Sequence, residues 1–289
     1  MRQALIINHP WGKSWESLYT KEFENFGYDT VDWDGVSPDH IGVSPSIVFS
    51  QWSDRDFTEM FPSSKHAMVM RRFEFYYYRH KINWDKIDLL VCCNPWVAEV
   101  MSDYLKDTKT TVVHIRNSID TSLWTYRMRK PGKNIGMVGR FHFVKNYPLA
   151  AQIIATLPDD YRLHIVGKPD HPELFPYLMS FGKKIIMYDP IPRDQLDAWW
   201  EDKSFCLSTS ISEGDPMCVL EAMAKGIKPV IHSWPGADQM YPKTFRTVYQ
   251  AVEDILSSKY DSQAYLNNVE QNNSVGNIHD LVGFIDSRL

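Results

Sequence analysis

At 289 residues, with 44% hydrophobic and 13% aromatic content, the chain can bury one large core or two modest ones. A formal net charge of −5 gives no bulk attraction to nucleic acid or to an anionic membrane surface. No apolar run approaches the ~20 residues that a membrane-spanning helix needs. Short apolar runs alternate with helix-like segments from end to end, the pattern of parallel sheets covered by helices. In the first half, strands are expected at Leu5 to Asn8, Tyr28 to Trp33, Ile47 to Ser50, Ala67 to Met70, Leu89 to Cys93 and Thr111 to Ile115. Helices are expected at Ser14 to Phe26, Arg72 to Lys81 and Pro95 to Leu105. The basic, Pro-Gly-containing stretch from Tyr126 to Lys133 reads as a solvated hinge between domains.

The alternation then restarts. Strands fit Ile135 to Val138, Arg162 to Val166, Lys184 to Met187, Phe205 to Ser208, Pro229 to Ile231 and Arg246 to Tyr249. Helices fit Pro148 to Thr156, Pro172 to Phe181, Arg193 to Glu201, Met217 to Lys225, Val252 to Ser258, Ser262 to Glu270 and Ile278 to Arg288. The four cysteines, Cys92, Cys93, Cys206 and Cys218, sit within or beside apolar runs at no zinc spacing. Cys92 and Cys93 are adjacent in a strand, so they point to opposite faces and cannot clamp one metal. Buried thiols suit a reducing compartment. The chain passes from Met1 directly into Leu5-Ile6-Ile7, too short an apolar run for a signal-peptide core, and reads as soluble and cytoplasmic.

The segment Ser212-Glu213-Gly214-Asp215-Pro216-Met217-Cys218-Val219-Leu220-Glu221-Ala222-Met223-Ala224-Lys225-Gly226 is the most informative. It follows a buried strand, and Pro216 suits the first turn of an Ala-rich helix. The unpaired amides at that helix start, with Gly214 admitting close approach, make an anion site. One carboxylate then stands at each end, Glu213 in the loop and Glu221 more than a turn into the helix. That arrangement suits hydroxyl groups flanking an anion, the shape of a sugar joined to a ribose through a diphosphate.

This Glu-x7-Glu segment, with Glu-Ala-Met-Ala-x-Gly and Pro229-Val230-Ile231, resembles the signature of glycosyltransferase family 4, retaining enzymes of the GT-B fold. Three further stretches resemble that family in the same order: Ile115 to Asp120, Val138-Gly139-Arg140 with Lys145, and Leu163-His164-Ile165-Val166-Gly167. The resemblance covers roughly residues 112 to 240; the first 110 match loosely, and compact virus-encoded members have so lean a first domain. It implies an α/β GT-B architecture, two Rossmann-like parallel-sheet domains facing across a cleft. Residues 1–127 would form the acceptor-side domain, joined by the C-terminal helix 277–289, and residues 134–276 the donor domain.

The resemblance also assigns roles. Arg140 and Lys145 would steady the diphosphate of the donor, Glu213 would contact the transferred sugar near the reacting carbon, and Glu221 would hold the ribose hydroxyls. Gly139, Gly214, Asp215, Pro216, Met217, Cys218 and Val219 would complete the donor site, with Asp189 and Ile191 in the backbone stretch that holds the base. Asp215 departs from the commoner aromatic or small residue, and a carboxylate there is tolerable only if it points at sugar hydroxyls. No cofactor or metal is implied beyond the nucleotide-sugar co-substrate, of UDP-glucose or GDP-mannose type, and an acceptor hydroxyl.

The first domain is less explicit. Gly12-Lys13-Ser14 ends like a Walker A motif, but its first glycine would fall at Ile7, which excludes the phosphate cradle. Gly12 remains a donor-loop candidate, with His9 behind it. No histidine stands at the turn after the fourth strand, where relatives place one near the sugar; Arg71 or Arg72 takes that place. The aromatic run Phe73 to Tyr78 reads as helix core ahead of a sugar platform, His66 as structural, and Trp52 as an exposed aromatic on the acceptor side. The leading reading is a retaining hexosyltransferase. Its alternatives are a glycosyltransferase acting on modified DNA bases, disfavoured by the acidic balance, and a sugar-nucleotide-binding module without catalysis. A related phosphorylase finds no pyridoxal-phosphate lysine context.

Overall fold

The computed structural model describes residues 2–8, 16–33, 44–51, 55–72, 74–168, 170–171 and 173–288. Eleven strands run β1 (Arg2–Ile7), β2 (Tyr28–Trp33), β3 (Ile47–Ser50), β4 (Lys65–Met70), β5 (Leu89–Cys92), β6 (Thr111–His114), β7 (Asn134–Val138), β8 (Arg162–Val166), β9 (Ile185–Tyr188), β10 (Phe205–Ser208) and β11 (Lys228–Ile231). The α-helices are α1 (Glu16–Asn25), α2 (Pro95–Tyr104), α3 (Tyr147–Thr156), α4 (Leu174–Met179), α5 (Leu196–Trp199), α6 (Met217–Ala224), α7 (Ala237–Met240), α8 (Val248–Leu256), α9 (Ser262–Asn272) and α10 (Gly276–Arg288). They divide into two units, residues 1–118 with 275–289 and residues 119–274.

The first unit is a parallel sheet of order β2-β1-β3-β4-β5-β6. Its central strands β3, β4 and β5 are buried almost throughout because helices and packed loops cover both faces. One face buries Ile6, Phe49, Val69 and Val91 against Tyr19 and Phe23 of α1 and Leu281, Val282 and Ile285 of α10. The other buries Met68, Met70 and Leu90 against Val97 and Met101 of α2. Cys92 and Cys93 fall on opposite faces, as strand alternation requires. Asn94 caps α2 by accepting from the Trp96 and Val97 amides, and Pro95 occupies its first turn. Helix α10 is fastened by the Arg2–Asp286 ion pair and by the Tyr28 hydroxyl donating to Asp286 at 3.1 Å.

Two expectations fail here and in the second unit. The stretch from Arg72 to Lys81 is not a regular α-helix: residues 74–78 form a π-turn and 79–81 a 3-10 turn. Glu74 is drawn inward to accept from the Arg71 amide at 3.0 Å, and Phe75 packs into the core, which widens the turn around them. Arg246 to Tyr249 is not a strand. Thr247 accepts from the Gln250 amide while the Gln250 side chain accepts from the Thr247 amide, and α8 starts at once. That capping box, Thr-x-x-Gln, was present in the sequence and outweighs the strand propensity of Val248 and Tyr249.

The second unit is a parallel sheet of order β11-β10-β7-β8-β9. Helices α3 and α8 cover one face around Ile135, Leu163, Phe205 and Val230. Helices α5, α6, α7 and α9 cover the other, with Trp124, Trp200 and Trp234 buried among them. Order reverses between β7 and β10 here and between β1 and β3 in the first unit, the places where open parallel sheets bind ligands at the carboxyl ends of strands. The basic segment read as a solvated hinge is pinned to the second unit. Arg129 donates to the carbonyls of Lys225 at 2.9 Å and Glu201 at 2.7 Å, and Arg127 pairs with Glu201 at 2.8 Å.

Candidate donor site at the carboxyl edge of the second sheet

At the switch point, β7 ends in Val138-Gly139-Arg140 and its loop lies against the loop that follows β10. Gly139 donates its amide to Val166 at 2.9 Å and accepts from the Tyr147 hydroxyl at 2.7 Å. A Cβ on Gly167 would lie 1.8 Å from the Gly139 carbonyl, so glycine is obligatory where the β7 and β8 loops touch. The aliphatic stem of Lys145 runs past Gly139, where a Cβ would stand 3.1 Å from Cε.

The ammonium of Lys145 reaches Glu213 Oε1 at 2.5 Å, and the Ser210 hydroxyl donates to the same oxygen at 2.6 Å. The Thr209 hydroxyl donates to the Lys145 carbonyl at 2.7 Å, and the Ile211 amide to the Val144 carbonyl at 2.9 Å. The switch-point loops are therefore clasped together, with Lys145 and Glu213 meeting between them. Arg140 is held differently: its Nε meets Asp170 Oδ2, in the loop after β8, at 2.5 Å. Both cations read as diphosphate ligands thus stand at one sheet edge, each already matched by a carboxylate.

Helix α6 opens with Pro216 as N-cap in extended geometry and no side chain capping it. Among the described residues no acceptor takes the Met217 or Cys218 amide. These are the unpaired donors that an anion would fill. Val219 is buried behind them. Gly214 is buried in the turn beside Asp215. Asp215 is engaged within its own unit. Its two carboxylate oxygens accept from the Tyr241 hydroxyl at 3.0 Å and the Asn273 amide at 2.8 Å, both within the unit. A buried carboxylate needs several donors, and the residues that follow α7 and α9 supply these two, so Asp215 braces the loop.

Glu221 is the opposite case. Its side chain is 5% exposed, and Arg193 Nη2 lies 3.2 Å from Oε1. Among the described residues this ion pair is the one polar contact it makes. Burial pushes its pKa from 4.5 up to about 7, with Arg193 acting in the other direction. Asp189 is exposed and Ile191 half-buried at the end of β9, just before the 3-10 turn 193–195 that carries Arg193. Arg193 and Asp170 had no local signal in the sequence, since their partners lie 28 and 30 positions away, whereas Ser210 lies 3 positions from Glu213. Only Ser210 was close enough to suspect.

In the first unit, Arg71 is buried at the end of β4, where its guanidinium donates to the Gln51 carbonyl. Arg72 is half-buried, with its guanidinium over the Tyr76 ring at 5.6 Å. Gln51 donates to Asn8 at 2.6 Å and Asn8 to Asp32 at 3.1 Å. A polar chain so runs along the carboxyl ends of β4, β3, β1 and β2. His66 is structural: Nε2 meets the Phe61 carbonyl at 2.9 Å, and burial lowers its pKa. His9, Gly12, Trp52 and Phe73 lie outside the described residues.

Residues 132–271, which carry these loops and helix α6, match the family model described as "Glycosyl transferases group 1". Over that stretch the chain is similar to the group 1 glycosyl transferases. A glycosyltransferase from Rickettsia africae is similar across 99% of this chain and 98% of its own, at 12% identity and TM-score 0.77. The lipopolysaccharide outer core galactosyltransferase WaaB matches over 100% of both chains at 17% identity and TM-score 0.71. The pneumococcal O-GlcNAc transferase GtfA, solved with UDP and GlcNAc, covers 83% of this chain and 56% of its own at 15% identity and TM-score 0.67. The chain therefore spans a little over half of GtfA. No curated protein matches it in sequence. The architecture is GT-B, two α/β units each built on a parallel sheet. Among the described residues, no helix is long and apolar enough to cross a membrane.

Proposed function

We propose that the chain is a retaining glycosyltransferase that moves a hexose from a nucleoside diphosphate sugar, of UDP-glucose or GDP-mannose type, to an acceptor hydroxyl of a glycan or related molecule. The observation that carries this reading is Glu221. A carboxylate so deeply buried, with one ion pair and no hydrogen bond among the described residues, is costly to the fold unless a ligand supplies donors. The vicinal hydroxyls of a ribose are such donors. The open amides at the start of α6 suit the diphosphate, and Arg140 and Lys145 stand at the same edge to neutralise it once Asp170 and Glu213 yield.

In the reaction, the bond between the anomeric carbon and the phosphate oxygen breaks, and its electron pair leaves with the diphosphate. The acceptor oxygen forms the new bond on the same face, and its proton passes to the departing phosphate oxygen, so no protein base is needed. Charge growing on the diphosphate is stabilised by Arg140 and Lys145. Glu213, released from Lys145, is then close enough to orient the sugar. Catalysis by these groups calls for no metal. Four thiols without a disulfide suit work in the cytoplasm.

Thermal unfolding against UDP, GDP, UDP-glucose and GDP-mannose tests the reading. A nucleotide at about 100 times its dissociation constant should stabilise by about 2.7 kcal/mol, a rise of several degrees. Glu221→Ala should abolish the rise. No rise in wild type with any of the four would overturn the donor site. A rise without hydrolysis or transfer in the presence of candidate acceptors would mark a binding module.

A further inference from the structure

Two ion pairs tie the turn after β9 to α6. Arg193 meets Glu221 at 3.2 Å, and one helical turn further on, Asp197 meets Lys225. The spacing is four residues on both sides, and the signs are opposite on the two rungs. Sliding α5 past α6 by one turn would bring like charges together, so the pair of contacts admits a single register. The lower rung is the fixed one. Lys225 is completely buried, donates to the Thr125 carbonyl at 3.2 Å and lies 3.5 Å from Glu201. Asp197 also accepts from the amide and the hydroxyl of Thr125, both at 2.9 Å. The upper rung is looser, because the Arg193 side chain is 38% exposed.

We infer that Arg193 is the positioning residue for Glu221, and that this grip makes the donor site prefer a ribose over a 2-deoxyribose nucleotide. The inference rests on the reading of Glu221 as the ribose acceptor. The geometry divides the carboxylate: Arg193 takes Oε1, and Oε2 has no partner among the described residues, which leaves lone pairs for ligand hydroxyls. The guanidinium also favours the ionised form of the buried group, against the effect of burial. The other titratable groups that act on or feel Glu221 are the thiols of Cys206 on β10 and Cys218 on α6, which bring no positive charge. Without Arg193, burial acts unopposed and shifts the carboxyl further toward its protonated form. A carboxylic acid donates one hydrogen bond and no longer accepts from two hydroxyls. A site built to accept from a hydroxyl rejects the analogue lacking it strongly; one that has lost its charge does not.

The experiment is calorimetric titration of UDP, GDP and their 2′-deoxy counterparts into wild type, Arg193→Ala, Arg193→Gln and Arg193→Lys at pH 7.5. Wild type should bind the ribonucleotide of the base it accepts about ten-fold or more tightly than the deoxy form, the discrimination of one hydrogen bond to a charged group. Arg193→Ala and Arg193→Gln should lose most of that ratio by weakening the ribonucleotide, with the deoxynucleotide nearly unchanged. Arg193→Lys should restore most of it. Variants that keep the wild-type ratio, whether by binding both normally or by weakening both equally, would overturn the positioning role. Wild type that binds neither base would overturn the donor-site reading itself, a different failure. The exposed stem of Arg193 makes the Gln variant a conservative guard against misfolding.

Discussion

Replacing Glu221 by glutamine should stabilise the ligand-free protein while destroying its donor site, and the structure sets both sign and size. In the folded chain the carboxyl titrates at about 7 against 4.5 for an unperturbed one. At roughly 1.4 kcal/mol for each pH unit, ionising it in the fold costs about 3 kcal/mol more than in the unfolded chain. Below pH 4.5 it is protonated in both states and imposes no penalty. Between 4.5 and about 7 the folded protein holds a proton that the unfolded chain has released, so wild-type stability falls as pH rises. Above about 7 the loss is complete. Glutamine does not titrate, so the stability difference between Glu221→Gln and wild type should grow by about 3 kcal/mol from pH 4 to pH 8. Urea unfolding followed by tryptophan fluorescence suits the question, because Trp124, Trp200 and Trp234 are buried in the cluster that packs on α6. A difference that is the same at pH 4 and pH 8 would refute the argument, since it would mean that Glu221 is not desolvated. Nucleotide affinity in the same variant should fall at least ten-fold, because an amide nitrogen replaces one acceptor.

Two further outcomes test the loops around the site. Gly167→Ala should push the β7 and β8 loops apart, because its Cβ would sit 1.8 Å from the Gly139 carbonyl. A loss of about 1–3 kcal/mol, read as a lower melting temperature, should accompany weaker nucleotide binding as Arg140 and Asp170 separate. Asp215→Asn should cost about 1–3 kcal/mol, because an amide group would face the Asn273 amide and leave one buried partner unmatched. Equal stability by urea titration would show that Asp215 is not the brace described.

Much of this molecule could be read locally. The strands Tyr28–Trp33, Ile47–Ser50, Arg162–Val166 and Phe205–Ser208 lie where apolar runs of strand length are bounded by polar or turn residues. The Glu-x7-Glu segment places its helix as read, with Pro216 at the cap one residue before the helix begins. The failures are also local. The capping box at Thr247 lost to β-branched and aromatic propensity in the reading, and Glu74 turned inward where a regular helix was expected. Helix α7 was missed because four residues carry too little periodicity to register.

The order of strands, helices and loops, and the identity of the residues at the carboxyl ends of the strands, followed from the chain alone. Hydrophobic runs, glycines and caps act through neighbours a few positions away, and the sequence displays those neighbours directly. The chain did not display which charge answers which. That Lys145 meets Glu213, Arg140 meets Asp170, Arg193 meets Glu221, and Asp215 turns away to Tyr241 and Asn273 depended on strand order and on loops brought together from 26 to 68 positions apart. Ion pairing acts over a few ångströms of space without regard to chain separation, so only the folded sheet could decide which carboxylates brace the protein and which one is left for a ligand.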